Sequence, residues 1–200
     1  MFKSVFLAIR HGQTAWNAQG RFQGLADVPL SPEGRARTRL NCARLAALFA
    51  VEAPGWAPRR ILTSPLGRAR ETADALRAAM DLPADAIRAD DRLVEAGFGI
   101  WEGLTTLEVK ERFPEERRRR KAERWTFSPP GGCSYDDLRV RLEALLGELE
   151  DAPRTVLVTH TGNLRVLMTL AGGMARDEAV RAPVPQDALF RFEGGRMSAL

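Results

Sequence analysis

Two short apolar runs, each followed by a histidine, restrict the fold of this chain more than any other feature. Val5 to Ile9 stops at Arg10-His11-Gly12, and Thr155 to Thr159 stops at His160. A run of this kind is typical of a buried strand, which delivers the polar residues after it to the edge of a sheet. For one run alone, a structural histidine at a strand end is an equally good explanation. Because the chain has only two histidines and both follow such runs, the pair predicts a catalytic site.

Helical patterns alternate with the predicted strands. Ser31-Pro32-Glu33 predicts the start of a helix over Arg35 to Ala50 that ends before Pro54. Ser134 and Asp137 predict a capping box for a helix that reaches Leu149. The other predicted strands are 60–63, 86–89, 188–192 and 196–200, and the other predicted helices are 66–80, 105–125 with a break at Pro114, and 163–170. The alternating order is that of an α/β fold.

Composition narrows the class of protein. Two hundred residues with 44% hydrophobic content suit a single domain over residues 1–200. The net charge is +4, but the arginines are scattered among acids, which favours a solvated surface over a nucleic-acid face. No apolar run approaches the roughly 20 residues of a membrane span, and no signal-peptide pattern is present, so we expect a cytoplasmic protein. Cys42 and Cys133 are interpreted as free thiols, because they lack the spacing of a zinc site.

The loop from Gly12 to Leu30 is long and poor in apolar residues, which is typical of a functional loop. Its polar residues and glycines include Thr14, Asn17, Arg21, Gln23, Gly24 and Asp27. After it, Ser64-Pro65 predicts the start of a helix whose first turns hold Arg68 and Arg70. An arginine beside the free N–H groups of a helix start is suited to bind an anion. Arg68 is the stronger candidate because it lies closer to the strand end, whereas Arg70 fits a solvated face.

Two acids compete for the role of proton donor. Glu95 and Glu102 lie in a segment with three glycines and two aromatic residues, Arg92 to Gly103. An apolar setting of this kind would keep a carboxyl group partly protonated near neutrality. We assign the role to Glu95, with Glu102 as the rival. The basic block Arg117 to Lys121 is interpreted as a solvated helix face, and the alternative is a basic lid that meets an anionic substrate.

The strand-end residues suit phosphoryl chemistry. If the two strands are neighbours, His11 and His160 meet Arg10 and Arg68, and a dianionic phosphate would find two guanidinium groups and two imidazoles. A neutral imidazole is a competent nucleophile when its other nitrogen donates to a carbonyl group. This predicts a phosphohistidine intermediate. Glu95 would protonate the leaving alkoxide and then activate water.

The sequence resembles the histidine phosphatase superfamily, also called the phosphoglycerate-mutase-like family, and the resemblance extends over nearly the whole chain. The motifs that carry it stand in the family's order. They are Arg10-His11-Gly12; Thr14-Ala15-Trp16-Asn17 with Gly24, Asp27, Pro29-Leu30 and Gly34; Ser64-Pro65-Leu66 with Arg68-Ala69 and Thr72-Ala73; Glu95 with Phe98-Gly99 and Trp101-Glu102-Gly103; and His160.

The resemblance implies a fold, a set of roles and a partner. The fold would be a mixed, mainly parallel central sheet flanked by helices in three layers, α/β/α. His11 would be the nucleophile, Glu95 the acid and His160 part of the phosphate pocket. The other phosphate-binding residues would be Arg10, Asn17, Arg68, Thr14, Gln23 and Gly24. No metal or organic cofactor is implied for the phosphatase members, and the ligands would be a small phosphorylated metabolite and inorganic phosphate as product.

Three functions remain open. The segment Phe98 to Thr105 resembles the phosphatase branch, including α-ribazole and sugar-phosphate phosphatases, and makes a metal-independent phosphomonoesterase the leading hypothesis. A 2,3-bisphosphoglycerate-dependent phosphoglycerate mutase is the alternative. An inactive relative that only binds a phospho-ligand is a second alternative. The sequence does not determine the oligomeric state, although two-fold homodimers are the commonest soluble oligomers.

Two departures from the family pattern bear on these hypotheses. Thr161 stands where many relatives have a glycine after the second histidine, and it could cap the helix that follows. Cys133 stands after Pro130-Gly131-Gly132, where phosphatase relatives often carry a glutamate. The first departure concerns the turn at His160, and the second concerns how the substrate is selected.

Overall fold

The computed structural model describes residues 5–52, 57–149, 154–186 and 188–200. Its centre is a six-stranded sheet in which the order is β3-β2-β4-β1-β5-β6. The strands are β1 (Phe6–Arg10), β2 (Arg60–Thr63), β3 (Ile87–Ala89), β4 (Thr155–Thr159), β5 (Leu189–Glu193) and β6 (Arg196–Ala199). The first four run parallel, and β5 and β6 are antiparallel additions at one side. The predicted mixed, mainly parallel α/β sheet is confirmed.

Helices cover both faces of this sheet. They are α1 (Ala15–Ala18), α2 (Pro32–Glu52), α3 (Gly67–Ala79), α4 (Thr106–Arg112), α5 (Pro114–Ala122), α6 (Tyr135–Leu149), α7 (Thr161–Leu170) and α8 (Arg176–Ala179). Alternate residues of β1 face opposite layers, as the two-residue period of a strand requires. Phe6 and Ala8 pack with α6 and α7, whereas Leu7 and Ile9 pack with α2 and α3. The result is the three-layer α/β/α arrangement.

The parallel strands bring their carboxyl ends to one edge of the sheet. β1 and β4 are neighbours in a register that pairs Arg10 with Thr159. The next residues in each strand are His11 and His160, and the His11 N–H donates to the Thr159 carbonyl oxygen over 2.9 Å. Two histidines separated by most of the chain therefore become neighbours.

Several helix boundaries differ from the prediction. The helix after β4 begins at Thr161, and His160 is its N-cap residue, so the expectation that Thr161 caps this helix is wrong. The helix after Ser64-Pro65 begins at Gly67 with Leu66 as its N-cap. The predicted break at Pro114 is confirmed, because α4 ends at Arg112 and α5 begins at Pro114, but α5 ends at Ala122, before the predicted Trp125. The predicted stop of α2 at Pro54 lies outside the described residues.

A helix that crosses a bilayer needs about 20 predominantly apolar residues, and the described helices fall short of this. None of them is both long enough and apolar enough to span a membrane.

Candidate active site

A cavity of about 290 Å³ opens at the carboxyl edge of the parallel strands. Six arginines line it, and Glu95 is the one carboxylate among its described lining residues. We call the part at the strand ends, lined by Arg10, His11, Arg68 and Glu95, the inner end. His160 is fully buried next to the His11 ring and does not itself line the cavity. We call the part formed by Arg120, Arg124, Tyr135 and Arg165 the outer end. The remaining lining residues are Asn17, Arg21, Phe22, Gln23, Gly24, Phe98, Thr106, Thr161 and Gly162.

The ring of His11 is fixed by the residue that follows it. Its Nδ1 lies 2.7 Å from the carbonyl oxygen of Gly12. A carbonyl oxygen can only accept, so Nδ1 carries the proton and Nε2 keeps its lone pair. Glycine is required at position 12 because an added Cβ would lie 2.1 Å from Thr38 Oγ1. The Arg-His-Gly motif thus sets the tautomer of His11.

The environment keeps both histidines neutral. Burial lowers the pKa of His11 well below its usual value, and the charges of Arg10 and Arg68 lower it further. Burial likewise lowers the pKa of His160, with the same neighbours contributing. The two rings lie 5.0 Å apart between centroids. Within the described part of the chain, neither nitrogen of His160 has a hydrogen-bond partner.

Arg10 and Arg68 are held by backbone carbonyl groups instead of carboxylates. Arg68 Nη1 and Nη2 donate to the carbonyl oxygens of Ala26 and Gly24, each over 2.7 Å. Arg10 Nη1 donates to the Val184 carbonyl oxygen over 3.1 Å. The Nε atoms of both arginines are buried and have no partner among the described residues. Their positive charges therefore remain available to an anion.

The polar residues of the long loop form one network. Thr14 is fully buried and caps α1, where its hydroxyl accepts from the Asn17 N–H. The same hydroxyl donates to Gln23 Oε1 over 2.8 Å, and Asn17 Nδ2 donates to that oxygen over 3.2 Å. Thr14 does not line the cavity. The phosphate contact predicted for Thr14 stays a prediction, and in this structure its single hydroxyl hydrogen is given to Gln23.

Glu95 is held at the start of α7. The Gly162 N–H donates to its carboxylate over 3.1 and 3.2 Å, and the Ala96 N–H donates to Oε1 over 2.9 Å. An added Cβ at Gly162 would lie 2.4 Å from Glu95 Oε1. Backbone N–H groups, and not the predicted aromatic enclosure, therefore hold this carboxylate. The glycine allows the close approach that holds Glu95 at the start of α7, where it lines the same cavity as His11.

Asn163 supports the same segment and was not predicted. Its buried Nδ2 donates to the carbonyl oxygens of Leu93 and Val94 over 2.7 and 3.1 Å and to Thr159 Oγ1 over 2.8 Å. A sequence signal existed, because Asn163 lies one helical turn after His160. These bonds connect the end of β4 to the residues that precede Glu95.

Glu102, the other candidate for the proton donor, connects two segments of the structure. Its carboxylate accepts from the N–H groups of Leu25, Ala26 and Phe98 over 2.9, 3.0 and 3.0 Å. It therefore connects the long loop to the Glu95 segment and does not line the cavity. Glu95 is the acid that lies at the inner end.

The basic block separates into two groups. Arg118, Arg119 and Lys121 are exposed, whereas Arg120 lines the cavity. The lid hypothesis thus fits Arg120, the solvated face fits Arg118, Arg119 and Lys121, and Arg117 is half-buried. Arg165 was missed, although it follows Thr161 at the four-residue spacing that places two side chains on one helix face.

The described residues offer no cluster of metal ligands, and the two cysteines are not paired with each other. Among the described residues, no group of three or more His, Cys, Asp and Glu side chains could hold a metal ion. Cys42 and Cys133 are free thiols, as predicted. Burial raises the pKa of the Cys42 thiol to about 12. Cys133 Sγ accepts from the Gly97 N–H over 3.2 Å, so this thiol supports the glycine segment after Glu95.

Comparison with curated sequences identifies both phosphatases and a mutase as relatives. A 2,3-bisphosphoglycerate-dependent phosphoglycerate mutase 2 from Gloeobacter violaceus is 32% identical, over 95% of this chain and 85% of its own length. Phosphoserine phosphatase 1 from Hydrogenobacter thermophilus is 31% identical, over 80% of this chain and 72% of its own. Other relatives are longer proteins: the chain spans 38% of a Caenorhabditis elegans 6-phosphofructo-2-kinase/fructose-2,6-bisphosphatase.

Solved structures and a protein-family model match this chain as well. A mycobacterial glucosyl-3-phosphoglycerate phosphatase in complex with VO3 superposes with a TM-score of 0.81 at 27% identity, covering 98% of this chain and 96% of its own. The sequence matches the family model of the histidine phosphatase superfamily (branch 1) over residues 6–197. Together with the geometry of the cavity, these similarities show that the chain belongs to the histidine phosphatase superfamily.

Proposed function

We propose that this chain is a metal-independent phosphomonoester hydrolase that acts on a small phosphorylated metabolite through a phosphohistidine intermediate. The observation that carries the proposal is the set of unpartnered buried atoms around His11. Arg10 Nε, Arg68 Nε and both nitrogens of His160 lack partners among the described residues, and Nε2 of His11 has a free lone pair. These groups match the oxygens and the phosphorus atom of a phosphoryl group.

In the first step, His11 Nε2 attacks phosphorus. The P–N bond forms as the ester P–O bond breaks, and Glu95 gives its proton to the leaving oxygen. Arg10 and Arg68 stabilise the charge on the phosphoryl oxygens, since phosphoryl transfer depends mainly on positioning and electrostatics. Asn17 and His160 complete the pocket as hydrogen-bonding groups, and Gln23 and Gly24 bound it on the loop side.

In the second step, water attacks the phosphohistidine. Glu95, now a carboxylate, accepts a proton from that water, a new P–O bond forms, and the P–N bond breaks. His11 returns to its neutral state and inorganic phosphate leaves. Because the Gly12 carbonyl oxygen keeps the proton on Nδ1 throughout, the ring needs no change of tautomer to begin the next cycle.

A phosphoglycerate mutase is the second candidate, and the 32% identity to the Gloeobacter violaceus mutase favours it. The two reactions share the phosphohistidine and differ in its acceptor. A mutase must keep water away from the intermediate and return the phosphoryl group to a second hydroxyl. Incubation with 3-phosphoglycerate and 2,3-bisphosphoglycerate separates them, because 2-phosphoglycerate forms in one case and inorganic phosphate in the other.

The test of the proposed function is chemical trapping of the intermediate. The enzyme is mixed with a ³²P-labelled phosphate ester in EDTA and quenched in base, in which phosphohistidine survives. We expect acid-labile label on the wild type and on the surface variant Arg118→Gln, and none on His11→Ala. Full hydrolysis by His11→Ala, or activity that disappears in EDTA and returns with a metal ion, would contradict the proposal.

A further inference from the structure

The position of the Arg68 guanidinium group depends on a turn in the long loop. Its Nη2 and Nη1 donate to the carbonyl oxygens of Gly24 and Ala26, each over 2.7 Å. These two residues lie outside the strands and helices, so the regular hydrogen bonds of a sheet or a helix do not hold their carbonyl groups in place. Whatever fixes residues 24–26 therefore also fixes Arg68.

The carboxylate of Glu102 holds this turn from the side opposite Arg68. The Gly24 carbonyl group and the Leu25 N–H belong to one planar peptide unit. The Leu25 N–H donates to Glu102 Oε1 over 2.9 Å, and the Ala26 N–H donates to Glu102 Oε2 over 3.0 Å. Because a peptide unit is rigid, Arg68 and Glu102 fix each other's orientation across the Gly24–Leu25 bond.

Gly24 allows the carboxylate to lie this close to the turn. Its φ is +55°, which favours glycine, and an added Cβ would lie only 2.1 Å from Glu102 Oε1. A side chain at position 24 would displace the carboxylate of Glu102. The contact between Glu102 and the turn is therefore one reason why this position is a glycine.

The charge of Glu102 acts on Arg68 without forming an ion pair with it. Burial lowers the pKa of Arg68, and the charges of Glu95, Asp27 and Glu102 oppose this. Within the described residues, no carboxylate forms a salt bridge with Arg68. Glu102 thus stabilises the positive charge of Arg68 and leaves its Nε free for a phosphoryl oxygen.

The same carboxylate contacts the segment that carries the acid. Glu102 Oε1 accepts from the Phe98 N–H over 3.0 Å as well as from the Leu25 N–H. Phe98 follows Glu95 by three residues. One oxygen atom therefore joins the turn that holds Arg68 to the segment that holds Glu95.

We propose that Glu102 is a positioning residue for phosphoryl transfer, which aligns Arg68 with the phosphoryl group through the Gly24–Leu25 peptide unit. This inference rests on the proposed phosphatase function. Glu102 does not line the cavity, so it acts on the reaction only through other residues. Without its carboxylate, the Gly24 carbonyl group is free to turn away from Arg68.

A double-mutant cycle tests whether the effect of Glu102 passes through Arg68. Isothermal titration calorimetry measures the Kd of inorganic phosphate, and steady-state kinetics measure kcat/KM for p-nitrophenyl phosphate. We expect Glu102→Gln to weaken phosphate binding and to lower kcat/KM, each by about tenfold or more, which is the effect of one charge-assisted hydrogen bond. In the Arg68→Lys background, the same substitution should change both values by less than about threefold, because its target is already altered.

Glu108→Gln is the matched control. The carboxylate of Glu108 also accepts from a backbone N–H, that of Thr105 over 2.6 Å, and it also contacts the long loop, through Arg21 over 3.2 Å. Neither contact involves the peptide units that hold Arg68. Any loss in Glu108→Gln should therefore be the same with and without Arg68→Lys.

Glu102→Asp is a second variant for the same cycle. It keeps the charge on a side chain that is one methylene group shorter, so we expect a smaller loss than in Glu102→Gln, again reduced in the Arg68→Lys background. Circular dichroism melting curves report whether each variant is folded, and the aspartate variant carries the test if the glutamine variant does not fold.

The outcomes separate this inference from the proposed function. Losses at Glu102 that are equal in both backgrounds would overturn the positioning role, because a general structural defect adds to the loss at Arg68. Wild-type values in both Glu102 variants would overturn it as well. A chain that binds phosphate with the expected coupling but hydrolyses no phosphate ester would overturn the proposed function and leave the role of Glu102 at the anion site intact.

Discussion

The two ends of the cavity hold their arginines in different ways. At the inner end, Arg68 is almost fully buried, and backbone carbonyl groups of the long loop fix its two terminal nitrogens. At the outer end, Arg120 packs against aromatic rings, and Arg165 donates both to the Tyr135 hydroxyl and to the Ala182 carbonyl oxygen, so Arg120 is the arginine held by side chains alone. Backbone contacts allow little movement or substitution, whereas side-chain contacts can change from one relative to another. The difference suggests a fixed chemical end and an adjustable recognition end.

Substitution of Arg68 should cause the largest loss of activity, and it therefore gives the strongest test of the difference between the two ends. Lysine keeps the charge but cannot make the two-pronged contact with Gly24 and Ala26. We expect Arg68→Lys to lower kcat/KM by about 10³-fold for every ester, as does loss of a donor that stabilises transition-state charge. Arg165→Lys is the matched change at the outer end, and steady-state kinetics with p-nitrophenyl phosphate and glycerol 3-phosphate compare the two. Similar losses in both variants would show that the ends are not distinct.

Glu95→Gln tests the chemical end through the leaving group. Glutamine cannot donate a proton, so we expect kcat to fall by about 10²–10⁴-fold for alkyl phosphates. The loss should be smaller for p-nitrophenyl phosphate, whose leaving group needs no proton. A series of aryl phosphates with leaving groups of increasing basicity measures this dependence. An equal loss across the series would argue against Glu95 as the acid.

Gly162→Ala tests how closely Glu95 must approach α7. The new Cβ would meet Glu95 Oε1 at 2.4 Å. Because a misplacement of about 1 Å can cost about 10²-fold in rate, we expect a loss of that order in kcat. Gly147→Ala in α6 is the control, since nothing lies within 4 Å of its added Cβ. The control should keep its kcat, and a normal kcat in Gly162→Ala would mean that the Glu95 contact is not needed.

The pH dependence of stability reports the burial of the inner end. The pKa values of His11 and His160 are lowered in the folded state, and unfolding restores them to about 6.5. The unfolded chain therefore binds more protons, and this contribution to stability is present above pH 6.5 and lost as the pH falls. For two histidines we expect the free energy of unfolding to drop by on the order of 3 kcal/mol between pH 7.5 and 5.5.

Urea denaturation at the two pH values measures this change. The carboxylates with lowered pKa, such as Asp90 and Asp136, lose their contribution at lower pH and so lie outside this interval. His160→Gln should remove about half of the pH-dependent term, because one of the two buried imidazoles is gone. An unchanged slope in that variant would show that His160 does not contribute.

Cys133→Ala should have the smallest effect. The thiol sulfur is a weak acceptor for the Gly97 N–H, and its loss should cost about 1 kcal/mol or less. We expect kcat/KM to change by less than about tenfold for singly and doubly anionic esters alike. A larger loss confined to one class of ester would place Cys133 among the groups that select the substrate.

The sequence predicted the inner end better than the outer end for a physical reason. His11 and His160 follow strands whose apolar pattern is local and regular, and parallel strands place their carboxyl ends at one edge. Arg68 was predictable from its place in the first turn of a helix. Arg165 and Tyr135 come together only because α6 and α7 pack side by side, and no short-range pattern encodes that contact. The role of Thr14 was not predictable from the sequence either. A threonine whose hydroxyl belongs to an internal hydrogen-bond network has the same sequence signature as one whose hydroxyl binds a ligand.

The sequence by itself determined the alternation of strands and helices and the delivery of Arg10, His11 and His160 to strand ends. It also placed Gly12 directly after His11. The carbonyl oxygen of this residue accepts from the His11 ring, and Thr38 leaves no room for a side chain there. Only the tertiary structure decided which acid lines the cavity, because Glu95 and Glu102 differ in their distant partners and not in their local sequence. It also separated Arg120 from the exposed Arg118, Arg119 and Lys121. The guanidinium group of Arg120 packs against the rings of Phe22, Phe98 and Trp101, which turns this one residue inward. Strand and helix periodicity are local properties, whereas the choice among chemically identical side chains depends on contacts between residues far apart in the chain.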